Sequence, residues 1–293
     1  MGNGTGYRDT VTVDSETPAC DVLLAGTMGD IGPSVRSSLE VHGLRVEIME
    51  FPQNVFRDEF GYGRRLLKAI DVCRPAMILP VGNPIALSRI RKKLPPDIIV
   101  PVEEEGKLRT LDSKVSCSAL AAELGILQPG MYSSPDETGE RQVVFKRDVS
   151  FGGHGVHLPW TKESLLNLIA HQPAGEPYLI EDYVEGTDYS ADAIRWNGFF
   201  RAGCYRTVEH RGNGPSKIRE SVCFPELEEI LKRILDRLDY RGICGADFRV
   251  SPGGEIYFLE CNPRFTGGVE TQVASGFDIA YLYWRAASGQ PIP

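Results

Sequence analysis

Residues 242–268, GICGADFRVSPGGEIYFLECNPRFTGG, constrain the chain more than any other stretch. They read as two strands joined by a tight turn, with SPGG at 251–254 supplying the residues that reverse a chain. Side chains alternate faces along a strand, so Glu260 and Asn262 share a face. A four-residue loop would set Asp247 opposite Phe258, on the face that carries Glu260 and Asn262. Two carboxylates and an amide oxygen then converge, the hard-oxygen set that Mg²⁺ takes together with phosphate oxygens. Arg264 adds a fork for phosphate or carboxylate. The same residues also fit a plainer reading, in which the acids are solvated and Asn-Pro marks a turn.

Composition narrows the classes. The chain has 293 residues, 42% hydrophobic and 25% charged, enough for two or three structural units. A net charge of -8 argues against nonspecific nucleic-acid binding, which needs a basic face. No apolar run approaches a membrane span. Residues 1–19 lack the basic and apolar regions of a secretory signal and read as a disordered tail. The seven cysteines are scattered and form no C-x-x-C pair, which points to reduced, mostly buried thiols, a cytoplasmic protein and no zinc site.

The first third alternates strands and helices. Strands are expected at 21–25, 45–50, 77–81 and 98–100, with helices to about 41, over 63–72 and after Pro84. This pattern specifies a small parallel sheet covered on both faces. The turn GTMGD at 26–30 lacks the full G-x-G-x-x-G spacing, so a glycine-requiring turn explains it better than a dinucleotide site. Its place after the first strand would still bring it near a substrate.

Beyond residue 100 the pattern changes. Asp112 or Ser113 caps a helix running to about 124, with Lys114 in its first turn against the helix dipole. A bound anion would remove that conflict; an exposed lysine is the plain alternative. Residues 142–146 form a strand ending in Lys146. SFGGHG at 150–155 is a glycine-rich loop whose backbone N–H groups can approach phosphate, or simply a turn. Thr161 caps a further helix. The strand at 178–184 ends in a loop able to offer backbone groups to an adenine edge. Asn197-Gly198 closes a hairpin. Residues 210–219 read as a polar loop near an anion or as a solvated linker. Residues 225–238 form an amphipathic helix, and the last helix spans about 279–287.

Taken in order, these pieces resemble the ATP-grasp superfamily, in the flavour of the carbamoyl-phosphate-synthase-like amino-acid and peptide ligases. Asp112-Ser-Lys114 resembles its helix start, reading D-S-K where the family has D-K. Lys146 with 150–155 resembles its strand lysine and phosphate-covering loop. Residues 181–188 look like its adenine strap, and Asp247 stands where several relatives have glutamate. The resemblance implies an α/β (α+β) ATP-grasp fold. Its parts would be a parallel-sheet N-terminal domain over 20–105 and an ATP-grasp domain over 106–293, with a lid at about 125–182 and an antiparallel-sheet subdomain at about 183–293. It also implies a ligase that forms an acyl phosphate from a carboxylate and ATP, then an amide, releasing ADP and phosphate.

By the same resemblance, ATP would lie on Lys114, Lys146, Ser150, Gly152, Gly153, Gly155, Glu181, Asp182, Tyr183, Val184 and Asp188. Mg²⁺, or Mn²⁺, would sit on Asp247, Glu260 and Asn262. Arg264 and Lys146 would act in catalysis. Arg206, Lys217, Arg219, Gly268 and Glu270 are the candidates for substrate contacts. A silent ATP-binding sensor, and a kinase or carboxylase working without an amine, are the rival expectations. Because no carrier domain follows the last helix, carboxylation is expected less than amide formation. The expected partners are small molecules and a second copy of the chain, with no nucleic acid and no membrane.

Overall fold

The computed structural model describes residues 18–27, 29–50, 59–150, 153, 155–159, 161–210 and 216–292. Most of the expected N-terminal tail, together with Gly152 and His154 of the glycine-rich loop, lies outside that set.

The first unit is β1 (Cys20–Thr27), α1 (Ile31–Glu40), β2 (Val46–Glu50), α2 (Glu59–Cys73) and β3 (Pro75–Pro80), with a parallel sheet in the order β2-β1-β3. The run DVLLA is apolar throughout because both sheet faces are covered. Val22 and Leu24 enter one core cluster, and Leu23 and Ala25 enter another. The strand expected at 98–100 is only an isolated parallel bridge between Met77 and Ile99. Pro95, Pro96 and Pro101 bracket it, and proline cannot donate to a ladder. Next come α3 (Pro84–Ile90), α4 (Glu105–Asp112) and α5 (Lys114–Glu123). Ser113 caps α5 by accepting from the Ser116 N–H.

A second, small unit holds β4 (Met131–Tyr132), β5 (Val143–Arg147), β6 (Val156–His157), α6 (Lys162–Ala170) and β7 (Tyr178–Asp182). Its antiparallel sheet runs β4-β7-β5-β6 and has its own core of Val143, Phe145, Leu165 and Ile180. Thr161 and Ser164 form a capping box at the start of α6.

The third unit is β8 (Thr187–Trp196), β9 (Phe199–His210), β10 (Ser216–Val222), α7 (Pro225–Arg237), β11 (Gly242–Val250), β12 (Ile256–Asn262), α8 (Val269–Ala274) and α9 (Ile279–Ala287). Its five strands run β10-β9-β8-β11-β12. Asn197 and Gly198, at φ 47° and 85°, make the positive-φ turn that a two-residue hairpin needs. The stripe Leu227, Leu231, Ile234 and Leu235 of α7 packs in one cluster with Ala191, Ala193, Cys244 and Ala246. Both large clusters also contain residues of the first unit, so the two units share their cores.

Two expectations change in this sheet. Residues 216–219, read as loop, belong to β10, which pairs with β9. A charged sequence suits an edge strand, where backbone pairing suffices. In the last hairpin Asp247 lies opposite Glu260, not Phe258. Phe248 and Phe258 pair in the core at a centroid distance of 5.9 Å, and a bulge next to that pair shifts the register.

Candidate active site

The bulge makes Asp247 and Glu260 direct neighbours on adjacent strands. Burial, followed by the nearby Glu260 charge, pushes the Asp247 carboxyl up to about 7. The Ser190 hydroxyl donates to Asp247 Oδ1 at 2.6 Å, which opposes that rise. Burial acts in the same direction on Glu260, whose side chain is 22% exposed. The Lys114 ammonium, 3.2 Å from Oε2, together with the Lys146 and Arg264 charges, outweighs it and holds this carboxyl below its ordinary range. Asn262 Nδ2 lies 3.3 Å from Asp247 Oδ2 and 3.5 Å from Glu260 Oε1. Turned over about its last side-chain bond, the amide presents its oxygen to the same space. Among the described residues no group of three His, Cys, Asp or Glu side chains is placed to hold a metal ion. The candidate set is therefore two carboxylates completed by an amide. Two facing, partly buried carboxylates, one pushed toward protonation, fit a hard divalent cation.

Lys114 opens α5 and is 5% exposed. Besides Glu260, its Nζ donates to Ser150 Oγ at 3.2 Å and to the Ser150 and Asp148 carbonyls at 3.4 Å. The conflict between a lysine and a helix start is thus met by a carboxylate from a distant hairpin. Asp148 Oδ1 accepts from the Ser113 hydroxyl and the Val115 N–H, both at 2.9 Å, which fixes that helix start against the glycine-rich loop.

Lys146 on β5 forms a buried ion pair with Glu181 on β7. Burial raises the Glu181 carboxyl, and Lys146 opposes the rise. Arg264 reaches Asp112 at 3.2 Å, so the last residue of α4 braces the guanidinium. The strap is partly spoken for. The Asp182 N–H donates to the Gly130 carbonyl and the Tyr183 N–H to the Gln142 carbonyl, while the Val184 carbonyl accepts from Arg249. The Asp182 side chain accepts from Tyr132 Oη at 2.5 Å. The N–H groups of Asp182 and Tyr183 are therefore not the ones a ligand would meet. Asp188 is held by Arg249 at 2.5 Å and by His210 at 3.1 Å.

A family model described as "ATP-grasp in the biosynthetic pathway with Ter operon" matches residues 174–293. The biotin carboxylase of Campylobacter jejuni superposes with a TM-score of 0.76 at 15% identity, over 94% of this chain and 72% of that one. The biotin carboxylase domain of the Hydrogenobacter thermophilus 2-oxoglutarate carboxylase does so with a TM-score of 0.74 at 16% identity, over 94% and 71%. The chain has the ATP-grasp fold. The arginine-specific carbamoyl phosphate synthase large chain of Oryza sativa subsp. japonica, a chloroplastic protein, is 23% identical over 202 residues. That match covers 60% of this chain but only 17% of the rice protein. The superfamily resemblance read from the sequence is borne out, and the rice match bears out its likeness to carbamoyl phosphate synthase large chains.

The C-terminal sheet of this ATP-grasp fold also carries a buried polar cluster that sequence reasoning passed over. Asp192 is 3% exposed; Thr266 Oγ1 lies 2.9 Å from each of its oxygens, and Gln272 Nε2 lies 3.3 Å from Oδ2. Burial pushes the Asp192 carboxyl up to about 6. The signal was present in the sequence: Asp188, Ser190 and Asp192 fall at period two in β8, among apolar neighbours. Of the substrate candidates, Arg206 pairs with Glu220 at 2.6 Å and Lys217 with Glu209 at 2.5 Å, in each case between partly exposed side chains. Glu270 accepts from Ser34 Oγ of α1 at 2.8 Å. Gly268 lies against Tyr205 and Asp192.

Proposed function

We propose that this ATP-grasp chain is an ATP-dependent ligase that joins a carboxylate to an amine through an acyl phosphate, releasing ADP and phosphate. One observation carries the reading. Lys114, Lys146, Glu181, Asp247, Glu260, Asn262 and Arg264 come from one helix, four strands and the turn after the last of them, and are linked by short polar contacts and mutual charge effects. Lys114 and Lys146 would hold phosphate oxygens of ATP, and Ser150, Gly153 and Gly155 would cover them and exclude water. Asp247, Glu260 and Asn262 would hold Mg²⁺ or Mn²⁺. A divalent cation there would neutralise charge on the phosphate oxygens. Arg264, braced by Asp112, would stabilise the transferring phosphoryl group. Phosphate oxygens of ATP would share or replace the Lys114 contacts with Glu260 and Ser150.

The Hydrogenobacter domain was solved with MgADP, ADP and bicarbonate, and the Campylobacter enzyme with a β,γ-ATP complex, which supports nucleotide and magnesium at this site. Those relatives also favour a second reading, an ATP-dependent carboxylase acting on bicarbonate. Incubation with Mg·ATP and pools of acids and amines, followed by nucleotide separation, tests both. The ligase reading expects ADP and phosphate that depend on an acid and an amine together. Bicarbonate dependence without an amine would move the assignment to carboxylation, and AMP with pyrophosphate would overturn the acyl-phosphate route. Glu260→Gln should lower ADP formation by roughly a hundredfold or more while the chain stays folded. Unchanged turnover in that variant would remove Glu260 from the machinery.

A further inference from the structure

Three cations on the outer strands of the C-terminal sheet could meet a substrate: Arg206, Lys217 and Arg219. Two are engaged with edge glutamates, as described above. Arg219 differs. It forms no ion pair among the described residues, and its Nε is buried without a hydrogen-bond partner there. It is nevertheless held in place. Its guanidinium lies over the Tyr205 ring, 5.6 Å from the centroid. A Cβ added at Gly267 would come within 3.0 Å of Arg219 Nη2. One at Gly268 would come within 2.6 Å of the Tyr205 hydroxyl and 2.5 Å of Asp192 Oδ2. The glycine pair after Arg264 therefore lets this turn lie directly against the Arg219–Tyr205 stack. Arg264 and Arg219 flank one short segment, residues 264–268.

Register places these groups on one sheet face. Asp247 lies opposite Ser190, Ser190 opposite Tyr205, and Tyr205 opposite Ser221, with Arg219 two residues along β10. The carboxylates of the last hairpin stand at one end of that row and Arg219 at the other. Three strand spacings separate β11 from β10, about 14 Å between strand axes, which the reach of the arginine back toward the turn shortens. A stacked, partly buried guanidinium with unused donors is built for a planar or tetrahedral oxyanion.

We propose that Arg219 anchors an oxyanion group, carboxylate or phosphate, that a substrate carries apart from the carboxyl being activated. This rests on the ligase reading for the identity of the reacting end. It makes the substrate a two-ended molecule: one carboxyl near Arg264 and the carboxylate pair, and a second anion on Arg219.

The test is direct binding to the full chain, read by thermal shift and titration calorimetry in the presence of Mg·ADP. The probes are α,ω-dicarboxylates from malonate to suberate, their half-amides, the matching ω-phosphono acids, and glycine against glycinamide. Wild-type protein should bind at least one dianion about tenfold or more tightly than its half-amide. Arg219→Gln should abolish that preference without lowering the melting temperature of the ligand-free protein, and Arg219→Lys should restore part of it. The phosphono acids separate a phosphate group from a carboxylate, and the glycine pair separates an amine substrate's carboxylate from an acid's second group. Equal binding of every charged probe and its neutralised partner by wild type, or a preference that survives Arg219→Gln, overturns the proposal. Absence of ADP formation with every acid would count against the ligase reading and would leave this binding result standing.

Discussion

Asp192 shows how far one buried residue can shift the behaviour of this chain with pH. An aspartate in the unfolded chain titrates near 3.8, whereas burial keeps the folded carboxyl protonated up to about 6. Between those values the folded state binds more protons than the unfolded state. The Asp192 contribution to stability should therefore fall as pH rises from about 4 to 6 and flatten above, a loss of roughly 3 kcal/mol. Asp192→Asn carries no charge and should remove this group's share of the slope, leaving that of Asp247, whose carboxyl is pushed up to about 7, as measured by urea unfolding at stepped pH from 4 to 8. An identical slope in wild type and variant would refute the account. At this scale the sequence was informative about residue type: Asp247, Glu260, Asn262, Lys114 and Lys146 were all picked out as chemistry-bearing. It carried no information on partners, because Lys114–Glu260 and Arg264–Asp112 join residues far apart in the chain.

At the scale of elements, α5 positions the lysine that bridges the hairpin and the glycine-rich loop. Ser113 holds that helix start through Ser116 N at 3.0 Å and Asp148 Oδ1 at 2.9 Å. Ser113→Ala should cost about 1 kcal/mol in chemical unfolding. It should also raise KM for ATP several-fold with a smaller change in kcat, because Lys114 loses its fixed origin. Normal KM with lowered stability would confine Ser113 to a capping role. Elements with a strong local code were legible: the α7 stripe, the Thr161 cap and the Asn197-Gly198 turn all lie where periodicity and turn chemistry put them. Helix α4 was not read, because EGKLRTLD offers only Leu108 and Leu111 to bury, too little for a periodic signal. Strand β10 was missed because its pairing comes from β9 and not from its own composition.

For the whole molecule, the question is what seats the N-terminal unit on the C-terminal one. Along α1, Ser34 donates to Glu270, Ser38 donates to Asp278 Oδ1 at 2.5 Å, and His42 Nε2 lies 2.9 Å from Asp278 Oδ2. The His42 ring stacks on Tyr281 at 3.5 Å, and Asp278 also caps α9 through the Tyr281 N–H. Asp278→Ala removes an acceptor from both units and leaves buried Ser38 unpaired. Equilibrium unfolding of the full chain should show a loss of about 2 kcal/mol or more. A change below about 0.5 kcal/mol would show that the shared apolar clusters alone seat the units.

The sequence by itself determined the local pieces: strand alternation, the last hairpin, caps, turns and the ordered set of residue types that resembles ATP-grasp proteins. These depend on contacts within a few residues, which spacing records. Only the tertiary structure decided the register of Asp247 against Glu260, the closure of Lys114 and Lys146 onto carboxylates from distant strands, and the contrast between Arg219 and its engaged neighbours. Those outcomes depend on burial and on charges brought together from distant parts of the chain. A carboxylate's proton affinity and a guanidinium's free donors are set by that surrounding, which no short stretch of sequence contains.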